Sequence, residues 1–285
     1  MPRRARIALI GAAAGIVLLA LTWYLAHYVS VFKRADVSIL SGFAQLDRPG
    51  LNRVTNFVAG LCDPQRYVFL AAIPVIVALV RRRPPVAALL AGILLAANET
   101  TQLLKPLLAA PRDVVYWNPI GTASWPSGHA TAAMSLALCA VIAAPARRRP
   151  MVGAAMAAFA IAVSYSFLEL GWHYPSDVFG GFLVAATWTL LGVAGLSIYE
   201  ERHPRPAVAE FPRQRTATIS VGEALKPAAA MLAVAAGLVA LIVVARPHEV
   251  VAYARGHEVF VIGAGSIGVL GLLLSSGLTL MLRRS

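Results

Sequence analysis

The stretch SYSFLELGWHYPSDVFGG, residues 164–181, decides how this chain is read. It sets a histidine, a Pro-Ser pair and an aspartate between two apolar runs, each long enough to cross a bilayer. A helix rises 1.5 Å per residue, so about 20 apolar residues cover the roughly 30 Å of a hydrocarbon layer. The polar island is therefore either a hinge joining two membrane helices or part of a reactive site.

Outward from this stretch, apolar blocks of similar length recur along the whole chain. Of the 285 residues, 59% are hydrophobic and 13% charged, against about 45–50% and about 25% in soluble domains. Spans are expected near 7–29, 67–80 (starting earlier, after Pro64), 85–105, 130–145, 151–170, 177–199, 227–245 and 258–281. The sequence thus predicts an all-α integral membrane protein of about eight spans: a six-helix core followed by a C-terminal two-helix hairpin. The first run follows MPRRAR and is too long for a cleaved signal, so residues 1–29 read as a signal anchor kept as the first span.

Basic residues orient the spans. Clusters at Arg3–Arg6, Arg81–Arg83, Arg147–Arg149, Arg202–Lys226 and Arg283–Arg284 hold 16 of the 25 Lys and Arg, and alternation of the spans puts them all on one side. The positive-inside rule makes that side cytoplasmic, with both termini there. The formal charge of +12 is accounted for by these clusters, so it reads as topology and not as a nucleic-acid surface. Arginine far outnumbers lysine and alanine is abundant, which suits a GC-rich bacterial genome. Cys62 and Cys139 fall in a loop and a span, and form no disulfide, redox or zinc motif.

Residues 30–66 form an outer loop in which Leu51, Val54, Phe57, Val58 and Leu61 recur at helical spacing. They predict an amphipathic helix lying on the outer leaflet, or a re-entrant piece. The core then runs over 67–199, a Pro-rich charged cytoplasmic linker over 200–226, and the transmembrane hairpin over 227–285.

Several motifs carry chemistry, and one does not. GAGSIG at 263–268 has the dinucleotide-fingerprint spacing, but it lies inside a span, where small residues serve helix contacts. GAAAG at 11–15 reads the same way. Glu99 is an ionisable group within a span, which marks either function or an interhelical cluster with Asn98, Thr100 and Thr101. Lys105 and Arg112 close that span at its outer end. In SWPSGHAT, residues 124–131, Pro126 suits a helix start, so the amides around Ser127, Gly128 and His129 make an anion site. In the opening stretch, Asp177 is spaced to fix the tautomer of His173, leaving its other nitrogen free to attack or to take a proton. Trp172 and Tyr174 look like interface aromatics. Topology gathers Lys105, Arg112, Ser127–His129 and His173–Asp177 on one surface. Cations and amides to hold phosphate oxygens, beside two histidines, suit attack on phosphorus.

These residues resemble the type 2 phosphatidic-acid phosphatase superfamily, whose motifs are K-x6-R-P, P-S-G-H and S-R-x5-H-x3-D. Here they read KPLLAAPRD from Lys105, PSGH from Pro126 and SFLELGWHYPSD from Ser166, in order and correctly spaced. The resemblance covers roughly residues 60–200. It implies that His173 is the nucleophile forming a phosphohistidine, Asp177 its orienter and His129 the general acid. Lys105, Arg112, Ser127 and the Gly128 amide are then the phosphate-binding groups, with no cofactor and no metal. Two positions depart from the pattern: Asp113 stands in place of proline and Phe167 in place of the third-motif arginine. Arg48, Arg53 or Arg66 could replace that cation, or Phe167 could serve as an apolar contact. The implied activity is removal of phosphate from a lipid phosphate or polyprenyl (pyro)phosphate at the outer leaflet of the cell membrane. A lipid phosphotransferase and a catalytically weakened lipid-phosphate binder are the alternatives. The implied partners are the lipid substrate and the bilayer, with no nucleic acid.

Overall fold

A computed structural model describes residues 1–46, 49–112, 120–203 and 219–283. Arg48, Asp113 and most of the 200–226 linker lie outside the described residues. Eleven α-helices make up the rest: α1 (Arg3–Tyr28), α2 (Ser30–Ala44), α3 (Pro49–Ala59), α4 (Pro64–Val80), α5 (Pro84–Leu107), α6 (Gly128–Ala143), α7 (Arg149–Glu169), α8 (Pro175–Arg202), α9 (Val221–Ala245), α10 (Pro247–Gly256) and α11 (Glu258–Leu282). No strand occurs among the described residues.

Six of them, α1, α5, α7 (with the short turn before it), α8, α9 and α11, are long and apolar enough to cross a membrane. Their outward faces carry Ile10, Val17, Leu95, Met151, Leu241 and Leu273, all exposed. An apolar girdle of that extent on a polypeptide is a lipid-facing surface. The chain is a multi-pass membrane protein. The shorter α6 stands at the centre, buried almost throughout and packed by α4, α5, α7 and α8. The eight runs expected as spans coincide with α1, α4–α8, α9 and α11.

Close helix contact rests on small residues. Gly11 and Gly15 bring α1 onto Leu190 and Thr187 of α8. Gly263, from the GAGSIG run, meets Ile39 of α2, and Gly271 meets Ile161 and Phe182. The stretch 164–181 ends in Gly180 and Gly181. A Cβ on Gly181 would lie 2.7 Å from the Ser127 carbonyl and 2.9 Å from the Thr131 nitrogen, both backbone. Gly181 therefore sets how closely α8 crosses the start of α6.

The segment 30–66, read as an amphipathic helix or a re-entrant piece, contains a further helix ahead of Leu51–Leu61. It holds two, α2 and α3, and α3 with its final turn meets α4 at a 61° bend. Pro64 opens α4 and forces Asp63 into an extended conformation (φ −60°, ψ 142°), which breaks the helical path there. The linker before the hairpin is also shorter than expected, since α8 runs to Arg202 and α9 starts at Val221.

Replacing Gly181 with valine should lower stability by roughly 1–3 kcal/mol, the usual cost of forcing volume into a packed contact. Thermal unfolding of the variant in detergent micelles checks this.

Candidate active site

The C-termini of α5 and α7 and the N-termini of α6 and α8 meet at one end of the bundle. Arg149 begins α7 at the opposite end, with Arg4, Arg81 and Arg83 as electrostatic neighbours. The candidate site is thus separated from the arginine clusters by the full length of the core.

Two helix starts build it. At α8, Pro175 takes the first position and Asp177, in the first turn, accepts the Tyr174 N–H through Oδ2 at 3.0 Å. The same Oδ2 lies 3.2 Å from Nδ1 of His173. Asp177 is fully buried and His173 nearly so. At α6, Ser127 caps the helix by accepting the Ala130 N–H at 3.3 Å, while its own amide donates to the Asp177 carbonyl at 2.9 Å. One backbone bond thereby locks the two helix starts together. The amides of Gly128 and His129 find no partner among the described residues and point off the helix end, where the helix dipole favours an anion. A Cβ on Gly128 would meet Lys105 Nζ at 3.9 Å and Gln102 Nε2 at 3.4 Å, so both side chains stand over this end.

The two histidine rings face each other with centroids 6.5 Å apart. Phe167 fills the space beside them. Its ring sits edge-on to His173 at 5.2 Å and 6.0 Å from His129, with no exposed surface. An apolar ring thus occupies the position of the third-motif arginine.

Arg112 is turned inward. Its Nη1 donates to Asp177 Oδ1 at 2.7 Å, and its Nη2 donates to Ser176 Oγ at 2.8 Å and to Asp36 Oδ2. The guanidinium lies over the Tyr174 ring, 4.1 Å from its centroid. This contact explains why Tyr174, expected at the membrane interface, is buried instead. Burial pushes the Asp36 carboxyl up to about 6, while the Arg112 charge and the Ser176 hydroxyl pull it down.

The structure brings His173, Asp177, His129, Ser127, Gly128, Lys105 and Arg112 together. It leaves Glu99 out: that carboxylate is on the exposed face of α5, whereas Asn98 bonds Tyr67, Thr100 accepts from Trp188 and Thr101 pairs with Thr131. The interhelical cluster forms without it. Arg66 stands beside the site, its Nη1 2.5 Å from where a Gly60 Cβ would be and the Asp63 carboxylate 3.2 Å from that same point.

Three residues escaped the sequence reading. Asp63 holds His129 Nε2 at 3.1 Å from the corner before α4, and the Asp-Pro step that makes the corner was its signal. Gln102 is one turn before Lys105 on the same face. Asp36 occupies the buried stripe of α2 with Ile39, Leu40 and Phe43, and a carboxylate in an apolar stripe was its signal.

These features define a multi-pass membrane protein with paired histidines at a helix N-terminus. Residues 67–197 match the PAP2 superfamily, the family that the three motifs resemble. A solved structure described as the first transmembrane PAP2 type phosphatidylglycerolphosphate phosphatase from Bacillus subtilis superposes with a TM-score of 0.55 at 20% identity. The match covers 68% of this chain and 98% of that one, and shows a shared fold. A comparison with curated proteins gave no match.

The Gly128 position offers a direct test of the anion site. Gly128→Ala meets only side-chain ends at ordinary contact distance, so its thermal stability should stay at the wild-type level. Its methyl group covers the free amides, and orthovanadate binding should weaken about tenfold, or ~1.4 kcal/mol. Isothermal titration of the purified variant and of the wild-type protein measures the difference.

Proposed function

We propose that this protein is a lipid-phosphate phosphatase that acts at the outer leaflet through a phosphohistidine. The observation that carries this reading is the chain Arg112–Asp177–His173 facing His129 across the N-terminus of α6. Asp177 on Nδ1 of His173 leaves Nε2 as the free lone pair. In the first step that nitrogen attacks phosphorus, the P–O bond to the lipid breaks, and His129 gives its proton to the departing oxygen. In the second step a water attacks the phosphohistidine, His129 takes one of the water's protons, and the P–N bond breaks to release inorganic phosphate. Lys105, Gln102 and the amides of Gly128 and His129 hold the phosphoryl oxygens, and Asp63 stabilises the protonated form of His129. The outer-leaflet placement rests on the arginine clusters at the far end of the core.

An apolar groove of about 440 Å³ between α4, α6 and α7 supports a lipid substrate. It is lined by Leu70, Ile73, Val77, Leu136 and Phe159, and Leu136 lies seven residues below His129 on α6, about 10 Å along the helix axis. The groove runs from Leu61 to Pro145 and Arg148, and we place the substrate's apolar chain there with its phosphate at the histidines. A polyprenyl (pyro)phosphate, phosphatidic acid and phosphatidylglycerol phosphate are the substrates that this geometry suits.

The purified protein should release phosphate from at least one member of that panel, and His173→Ala should lower the rate by at least about 10³-fold. Equal release by both proteins refutes the reading.

Asp63→Asn separates the two histidine roles. Removing the carboxylate disfavours protonated His129, so the general acid is lost at lower pH and the alkaline limb of the kcat profile moves acidward. A pH–rate profile with an unmoved alkaline limb contradicts the assignment.

Phe167→Arg adds a donor to a site that otherwise relies on Lys105, Gln102 and amides. It should lower KM for a phosphomonoester substrate, and steady-state kinetics on the panel show whether it does. An unchanged KM means that the cation is supplied elsewhere.

A further inference from the structure

We infer that Asp36 is a positioning residue of the reaction: bonded to Arg112 and Ser176, it governs the carboxylate that orients His173. This rests on the phosphatase reading above for its kinetic consequence, though not for its geometry.

Asp36 lies on α2, outside the matched PAP2 segment, and only 6% of its surface is exposed. A buried carboxylate costs several kcal/mol unless it is paired and fully hydrogen-bonded. Asp36 meets that requirement entirely with groups of the site. Oδ1 accepts the Ser176 N–H at 3.0 Å, and Oδ2 accepts the Ser176 hydroxyl at 2.6 Å and Arg112 Nη2.

If Asp36 only fastened α2 to the start of α8, the two Ser176 bonds would be enough. Arg112 makes the difference, because one guanidinium serves two carboxylates, Nη1 on Asp177 and Nη2 on Asp36. Three hydrogen bonds from a planar fork, with the Tyr174 ring against its face, leave that fork one orientation. Asp36 also draws on the positive charge that would otherwise fall on Asp177 alone. With Asp36 neutralised, Arg112 polarises Asp177 more strongly and Asp177 pulls less on the Nδ1 proton of His173. The Nε2 lone pair then becomes a poorer nucleophile. The order of influence is Asp36, Arg112, Asp177, His173. His27, at the end of α1, is a further electrostatic neighbour of Arg112 and Asp177.

The C-terminal hairpin holds α2 in this register. Tyr253 of α10 donates to the Gly42 carbonyl at 2.8 Å, Phe260 of α11 sits edge-on to Phe43 at 4.9 Å, and Gly263 gives way to Ile39. All three contacts fall within two turns of Asp36.

The test uses the full chain in detergent micelles, with Asp36→Asn, Arg112→Gln and the double variant. On the best substrate of the panel, Asp36→Asn should lower kcat about tenfold with KM within about twofold, the low end of the loss seen when a hydrogen-bond partner behind a metal-bound histidine is removed. In the Arg112→Gln background the same change should cost less than about twofold, because both act through one path. Multiplying effects, an unchanged kcat, or a loss confined to KM each overturn the inference.

A second measurement needs no turnover. The rate at which diethyl pyrocarbonate carbethoxylates His173, read by mass spectrometry against His129, should fall in Asp36→Asn. An unchanged rate overturns the inference even where no lipid phosphate is hydrolysed, so failure of the phosphatase reading is told apart from failure of this one. Should Asp36→Asn not fold, Ser176→Ala removes the hydroxyl that bonds both Asp36 and Arg112 and keeps the ion pair. It must then slow His173 labelling, and wild-type labelling in that variant also overturns the inference.

Discussion

The Arg112 guanidinium, buried between two carboxylates, is the interaction on which the rest of the site depends. Buried charges persist only when paired and hydrogen-bonded. Here one cation is flanked by Asp36 and Asp177, and it lies over the ring of Tyr174. The three residues come from α2, the connection after α5, and α8. Separating any one of them from the others strands a charge in a dry environment, so the network fixes where those three pieces of chain meet. His173 inherits its orientation from this arrangement through Asp177, and α6 inherits its position from the Ser127 amide on the Asp177 carbonyl.

The fold was legible because the bilayer makes it so. Without water, backbone groups must bond within a helix, and length plus hydropathy then locate the helices with little help from tertiary contacts. The runs read as spans coincide with eight helices of the structure. The segment 30–66 was harder because its helices are short and amphipathic, and the break between α3 and α4 depends on a single Asp-Pro step. Tyr174 was misplaced for a related reason: an aromatic beside a histidine at a span boundary looks interfacial until a guanidinium is found over its ring.

The site was legible where chemistry imposes spacing. His173 and Asp177, four residues apart, reach each other across one turn, and the Pro126–Ser127–Gly128 step marks a helix start that presents free amides. Asp36, Asp63 and Gln102 obey no such rule. Their reach to the site is set by how α2, α4 and α5 pack, with 140 residues of chain between Asp36 and Ser176. A carboxylate at a stripe position or before a proline hints that something binds it, without saying what.

Phe167 takes its meaning from the same network. Under the proposed mechanism, a third-motif arginine beside the two imidazoles would add positive charge where His129 donates a proton and His173 attacks. In this chain the ring of Phe167 keeps that space apolar, while the charges are moved outward to Asp63 by His129 and to Lys105 over Gly128. Low dielectric beside the histidines strengthens each remaining bond to an anion. On the proposed reading, the site exchanges one strong phosphate donor for a more apolar surround of the histidine pair, and the carboxylates on α2 and before α4 support that pair from outside.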